Sequence, residues 1–77
     1  MELGKQLVHY HKKMNLSQEE LAEKIYVTRQ SISNWENDKT YPDIHSLLLL
    51  SHIFQVTLDT LVEGDLETMK MIVQKKD

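Results

Sequence analysis

The chain has 77 residues, 40% of them hydrophobic, and a formal net charge of −3. That length permits one domain, near the lower limit for folding on a hydrophobic core alone; with no cysteine, neither disulfides nor a thiolate metal site can supplement that core. The acidic balance argues mildly against a nucleic-acid partner, although the placement of charge matters more than its total.

The opening stretch, MELGKQLVHYHKK, contains no apolar run long enough for a signal peptide, and nothing later approaches a membrane span. The cytosol is the expected compartment. Only two glycines and one proline punctuate the chain, and no segment alternates with period two, so strands are not expected. Residues 2–13 place Leu3, Leu7 and Tyr10 on one helical face. Asn15 tolerates the left-handed conformation that ends a helix. Ser17-Gln18-Glu19-Glu20 has the pattern of a capping box, opening a second helix with Leu21, Ala22 and Ile25 inward.

Thr28 is the expected N-cap of a third helix, which runs to about Asn37. Residues 37–42, NDKTYP, read as a loop, and Asp43 can cap a fourth helix. Its expected buried side is Ile44, Leu47, Leu48, Leu50, Ser51 and Phe54. Thr57 caps a short fifth helix carrying Leu58, Leu61 and Val62, and Gly64 is placed to end it. The pattern predicts an all-α domain over residues 1–64. The remaining segment, 65–77, is expected as a tail or linker, or as an extra helical turn or two through Leu66, Met69, Ile72 and Val73.

The third helix has two unlike faces. With Arg29 at zero and about 100° per residue, Ser33, Asn37, Gln30 and Asn34 fall at about 40°, 80°, 100° and 140°. Ile32 and Trp35 fall at about 300° and 240°, roughly opposite. Arginine suits the O6/N7 edge of guanine, and glutamine and asparagine suit the N6/N7 edge of adenine. A helix about 10–12 Å across fits the major groove of B-form DNA. A solvated polar face is the plain alternative; a capped helix and tight turn just before it favour a helix-turn-helix pair.

At this point the sequence resembles the helix-turn-helix family of phage Cro and CI repressors, the XRE family. The resemblance runs from about Leu3 to Asp65 and rests on LSQEELAEKI, VTRQSIS followed by WEN, the YPD entry to helix four, and VTLDTL followed by Gly64. It implies a compact five-helix, lambda-repressor-like DNA-binding domain with the motif at helices two and three. It further implies base contacts from Arg29, Gln30, Ser33 and Asn34. Backbone contacts would come from Gln18, Thr28, Asn37, Lys39, Thr40 and Tyr41, which position the protein without reading sequence. The partner implied is double-stranded DNA carrying a palindromic operator, bound by a homodimer and regulated by occupancy. No cofactor, membrane or small-molecule substrate is implied.

Three positions depart from the family pattern. Relatives often carry arginine at position 11, able to pair with the glutamate of WEN; here His11 faces that task with Glu36. Leu49 stands where a polar residue is common and is expected to point outward, as an isolated exposed leucine or as part of a self-association face. Tyr26 replaces a glycine at a turn that tends to need positive φ. In that conformation it costs about 1–2 kcal/mol, which packing of the ring on helix one or two would offset.

Enzyme readings find little support in the residues. His9 and His11 diverge by about 200° around a helix, and His45 and His52 stand about 10 Å apart along one. No glycine-rich phosphate loop or nucleophile–base pairing is visible, so no catalytic or metal residue is assigned. The alternative to DNA binding is a protein-interaction module of the same fold, antitoxin-like or co-regulatory.

Overall fold

Five α-helices and no strand occur in residues 2–75, the stretch described by the computed structural model, with side chains described as far as Glu67. They are α1 (Glu2–Lys13), α2 (Gln18–Lys24), α3 (Arg29–Glu36), α4 (Ile44–Phe54) and α5 (Leu58–Lys75). Local chemistry accounts for most of the boundaries. Ser17 and Glu20 form the full capping box at α2: the Glu20 N–H donates to Ser17 Oγ and the Ser17 N–H donates to Glu20 Oε1, both at 3.0 Å. Thr28 caps α3 by accepting from the Ser31 N–H, Asp43 caps α4 by accepting from the Ser46 N–H, and Thr57 accepts from the Thr60 N–H.

The core gathers one face from every helix: Leu3 and Leu7, then Leu21, Ala22 and Ile25, then Ile32 and Trp35, then Leu47, Leu50 and Phe54, and finally Leu61. α1 packs against α3 and α5, α2 against α3, and α4 against α5. Tyr10 stacks on Phe54 with ring centroids 5.2 Å apart, tying α1 to the end of α4.

Two expectations are corrected within α4. Ile44 and Leu48, expected inside, are 53% and 50% exposed, whereas Leu49, expected outside, is half-buried and packs on the core. The buried arc centres on Leu50, with Leu47, Phe54, Ser46 and Ile53 around it; Ile44 and Leu48 lie on the far side and Leu49 on the flank. A run of four leucines has no polar residue to mark its outer side, so the orientation of α4 is set by its neighbours.

The expected helix end at Gly64 is also corrected: α5 passes through it without a break. A Cβ at Gly64 would stand 2.6 Å and 2.9 Å from Glu2 Cγ and Cβ, so the glycine admits the start of α1 rather than ending a helix. Gly4 plays the same part elsewhere, since its missing Cβ would meet the Glu36 carbonyl oxygen at 2.7 Å and the Trp35 carbonyl oxygen at 3.0 Å. The side chains of Met69, Ile72 and Val73, expected on an amphipathic extension, lie outside the described residues.

One buried group was not anticipated. Asp65 is fully buried and accepts from the backbone N–H of Glu2 at 2.6 Å, that of Leu3 at 3.1 Å, and the Tyr41 hydroxyl at 2.8 Å. It satisfies donors at the start of α1 that no residue within α1 can reach, and it joins α1, α5 and the loop between α3 and α4.

Candidate nucleic-acid interface

α3 is anchored from below by Ile32, which has no exposed surface, and by Trp35, which is 8% exposed. With that side fixed, Arg29 and Gln30 face solvent and Ser33 and Asn34 are partly exposed. Thr28, Asn37, Lys39 and Thr40 are exposed at the two ends of the helix and in the following loop, and Gln18 is partly exposed at the first turn of α2. The polar residues named from the helical wheel therefore share one side of the molecule, spread over α3, its flanking turns and the start of α2.

Short hydrogen bonds hold this surface in order. Gln30 Nε2 donates to Asn34 Oδ1 at 3.0 Å, one turn along the helix. Asn37 Nδ2 donates to the Ser33 carbonyl at 2.8 Å and contacts its hydroxyl at 3.3 Å, while the Lys39 N–H donates to the Asn34 carbonyl. Thr28 and Ser31 share a hydroxyl–hydroxyl contact of 3.1 Å. Arg29 Nη1 approaches Gln18 Oε1 at 3.4 Å, across the turn between α2 and α3.

That last contact is one end of a continuous chain. Gln18 Nε2 donates to Glu36 Oε1 at 2.8 Å, Glu36 Oε2 lies 3.2 Å from His11 Nε2, and His11 Nδ1 donates to the Leu16 carbonyl at 2.8 Å. The pairing of His11 with Glu36 suggested by the sequence is present, with both side chains nearly buried at 10% and 7% exposure. Its extension to Leu16 and Gln18 had no signal in residue spacing, because it depends on α1, α2 and α3 meeting.

Electrostatically, Glu36 at the end of α3 turns its carboxylate inward to His11, while Asp38, between Asn37 and Lys39, is exposed. Glu19, Glu20 and Glu23 are exposed on α2. The Ser17 backbone N–H, and then the Ser17 hydroxyl, hold the Glu20 carboxyl below its usual range. Arg29 and Lys39 are exposed on the face, and Lys12 and Lys13 at the end of α1. Tyr41 stands apart from the other expected contacts: it is half-buried and gives its hydroxyl hydrogen to Asp65. Burial first, then that hydrogen bond, push its phenol well above the usual value.

The turn entering α3 adopts the left-handed conformation expected of it, with Tyr26 at φ 62°. The packing expected to offset the cost is missing, as Tyr26 is 87% exposed. Left-handed residues follow α1, α2, α3 and α4 in turn: Asn15, Tyr26, Asp38 and Gln55. None of the four is a glycine.

A helix-turn-helix family model matches residues 12–61. Over 65 residues, 84% of this chain, it is 45% identical to the HTH-type transcriptional activator BcrR of Enterococcus faecalis, covering 32% of that protein. It is 38% identical over 65 residues to the HTH-type transcriptional regulator ImmR of Bacillus subtilis, covering 51% of it. The chain thus spans about half or less of the length of these relatives. Among solved structures, the P22 c2 repressor in complex with a synthetic operator superposes with a TM-score of 0.76 at 32% identity, covering 80% of this chain and 94% of that one. The matched segment holds α2, the Tyr26 turn and α3, and the chain belongs to the helix-turn-helix family.

Proposed function

We propose that this chain is the DNA-binding part of a transcription regulator that reads double-stranded DNA sequence-specifically with α3 in the major groove. The observation that carries this reading is the ordered Arg29–Gln30–Asn34 face, held outward by Ile32 and Trp35 on the opposite side of the same helix. Arg29, Gln30, Ser33 and Asn34 supply base-edge donors and acceptors. Gln18, Thr28, Asn37, Lys39 and Thr40 hold the sugar–phosphate backbone. Tyr41 is left out of the contact set, because its single O–H is directed to Asp65. The superposition on a repressor bound to operator DNA supports the same orientation. The chain acts as a homodimer on a palindromic operator, because one short helix reads only a few base pairs and two half-sites about a helical turn apart multiply affinity. Repression by occupancy in the cytosol needs no catalytic chemistry, and none is assigned.

Selection of duplexes from a random pool, followed by binding assays on the selected site, tests the reading. Arg29→Ala and Gln30→Ala are each expected to cost about 1–3 kcal/mol of specific binding. If both variants bind the selected site as tightly as the parent, α3 is not the reading helix. The same fold would then be acting as a protein-interaction module.

A further inference from the structure

The His11–Glu36 contact lies behind the exposed face of α3 and is linked through Gln18 to Arg29 on that face. Glu36 Oε2 is buried and has no hydrogen-bond partner among the described residues, and His11 Nε2 stands 3.2 Å from it in ion-pair range. The other carboxylate oxygen receives the Gln18 amide at 2.8 Å, and Gln18 in turn faces Arg29 at 3.4 Å. Both ring nitrogens of His11 face acceptors, a carbonyl at 2.8 Å and a carboxylate oxygen at 3.2 Å. Only a ring with hydrogens on both nitrogens satisfies both. A neutral imidazole has one N–H, so it must either drop the Leu16 carbonyl or turn a lone pair toward a buried carboxylate oxygen.

We propose that His11 is a positioning residue for DNA binding, holding Glu36 inward, and through it Gln18 and Arg29 in their outward geometry, only while its ring carries a hydrogen on both nitrogens. The inference rests on the DNA-binding reading and extends it to a residue that touches no DNA. An imidazole gains or loses a proton near neutral pH, whereas a guanidinium stays charged. Specific affinity therefore falls when rising pH removes the second ring hydrogen. The other groups around the pair do not substitute for the proton. α3 presents the Glu36 carboxylate itself, and α2 presents the neutral Gln18. The Glu20 carboxylate at the start of α2 is held by Ser17, and Lys12, next to His11 in α1, is exposed to solvent. Arg29 reaches Gln18 rather than the ring.

The test is the pH profile of affinity for a duplex selected by the parent protein at pH 6. Fluorescence anisotropy from about pH 5.5 to 8.5, at constant ionic strength, would compare the parent with His11→Arg and His11→Gln. The parent is expected to weaken by about five-fold or more across that range, the scale of one lost charge-assisted hydrogen bond. His11→Arg is expected to bind tightly with a flatter profile, and His11→Gln weakly with a flatter profile. His9, His45 and His52 remain in every variant, so any pH dependence they add is common to all three and cancels in the comparison. A second readout uses the free protein: the Gln18 side-chain amide resonances should move with pH in the parent and stay fixed in His11→Arg, which stands even if His11→Gln fails to fold. Parallel pH profiles for the parent and His11→Arg overturn the inference and leave the DNA reading intact. Absence of sequence-specific binding by every protein at every pH overturns the DNA reading, and the positioning role with it.

Discussion

At the scale of single residues, Tyr26 isolates a backbone cost with little else attached. Its φ of 62° places a bulky side chain in the left-handed region, and its 87% exposure leaves the ring little to pack against. Glycine removes the steric penalty but offsets part of that gain through the larger entropy of its unfolded chain. Tyr26→Gly is therefore expected to stabilise the domain by about 0.5–1 kcal/mol, read as a rise of roughly 3–6 °C in melting temperature. A loss of several kcal/mol would show that the ring has a structural role. Asp43 gives a second measurement at this scale. The Ser46 backbone N–H, and then the Ser46 side chain, hold the Asp43 carboxyl below its usual value. Its stabilising contribution is complete above the unfolded carboxylate value of about 4 and is lost as pH falls through the lower folded value. The melting-temperature gap between the parent and Asp43→Ala should narrow between pH 6 and pH 3. A gap that is constant with pH would mean that the carboxylate charge contributes nothing to the cap.

Between elements, Asp65 joins α1, α5 and the loop before α4 through one buried carboxylate. Its carboxylate accepts two N–H groups from the start of α1 and the hydroxyl of Tyr41, with no exposed surface of its own. Asp65→Ala leaves a buried backbone donor and a phenol without partners, a loss of about 2–4 kcal/mol in urea unfolding. A change under about 1 kcal/mol would mean that water replaces the carboxylate. Residues 62 positions apart in sequence make this joint, so no spacing rule announces it. The helix caps, in contrast, are made within three residues and were legible as motifs. The glycines show the same division between local and distant causes. Read locally, Gly64 looked like a helix terminator. In the fold, both glycines lie inside helices where another part of α1 or α3 comes too close for a Cβ. The left-handed turns that glycine usually serves are filled by Asn15, Tyr26, Asp38 and Gln55.

On the scale of the whole molecule, a domain of net charge −3 is proposed to bind a polyanion. The conflict eases once position is considered: Glu36 faces inward against His11, while Arg29 and Lys39 are exposed on the proposed DNA face, where Asp38 is the exposed acidic neighbour of Lys39. Few cations are available there, so the logarithm of affinity should fall gently with the logarithm of salt concentration. A slope equivalent to eight or more ionic contacts per subunit would contradict this charge distribution. The sequence by itself determined the helical class, the caps at Ser17, Thr28, Asp43 and Thr57, and the two-sided character of α3. Each follows from interactions within a few residues or from helical periodicity. The tertiary structure alone decided which leucine of α4 faces the core, why the glycines sit where they do, and the buried joint at Asp65. It also decided the chain from His11 through Glu36 and Gln18 to Arg29. Those features depend on the directions in which separate helices approach one another, and a pattern confined to one helix does not carry that information.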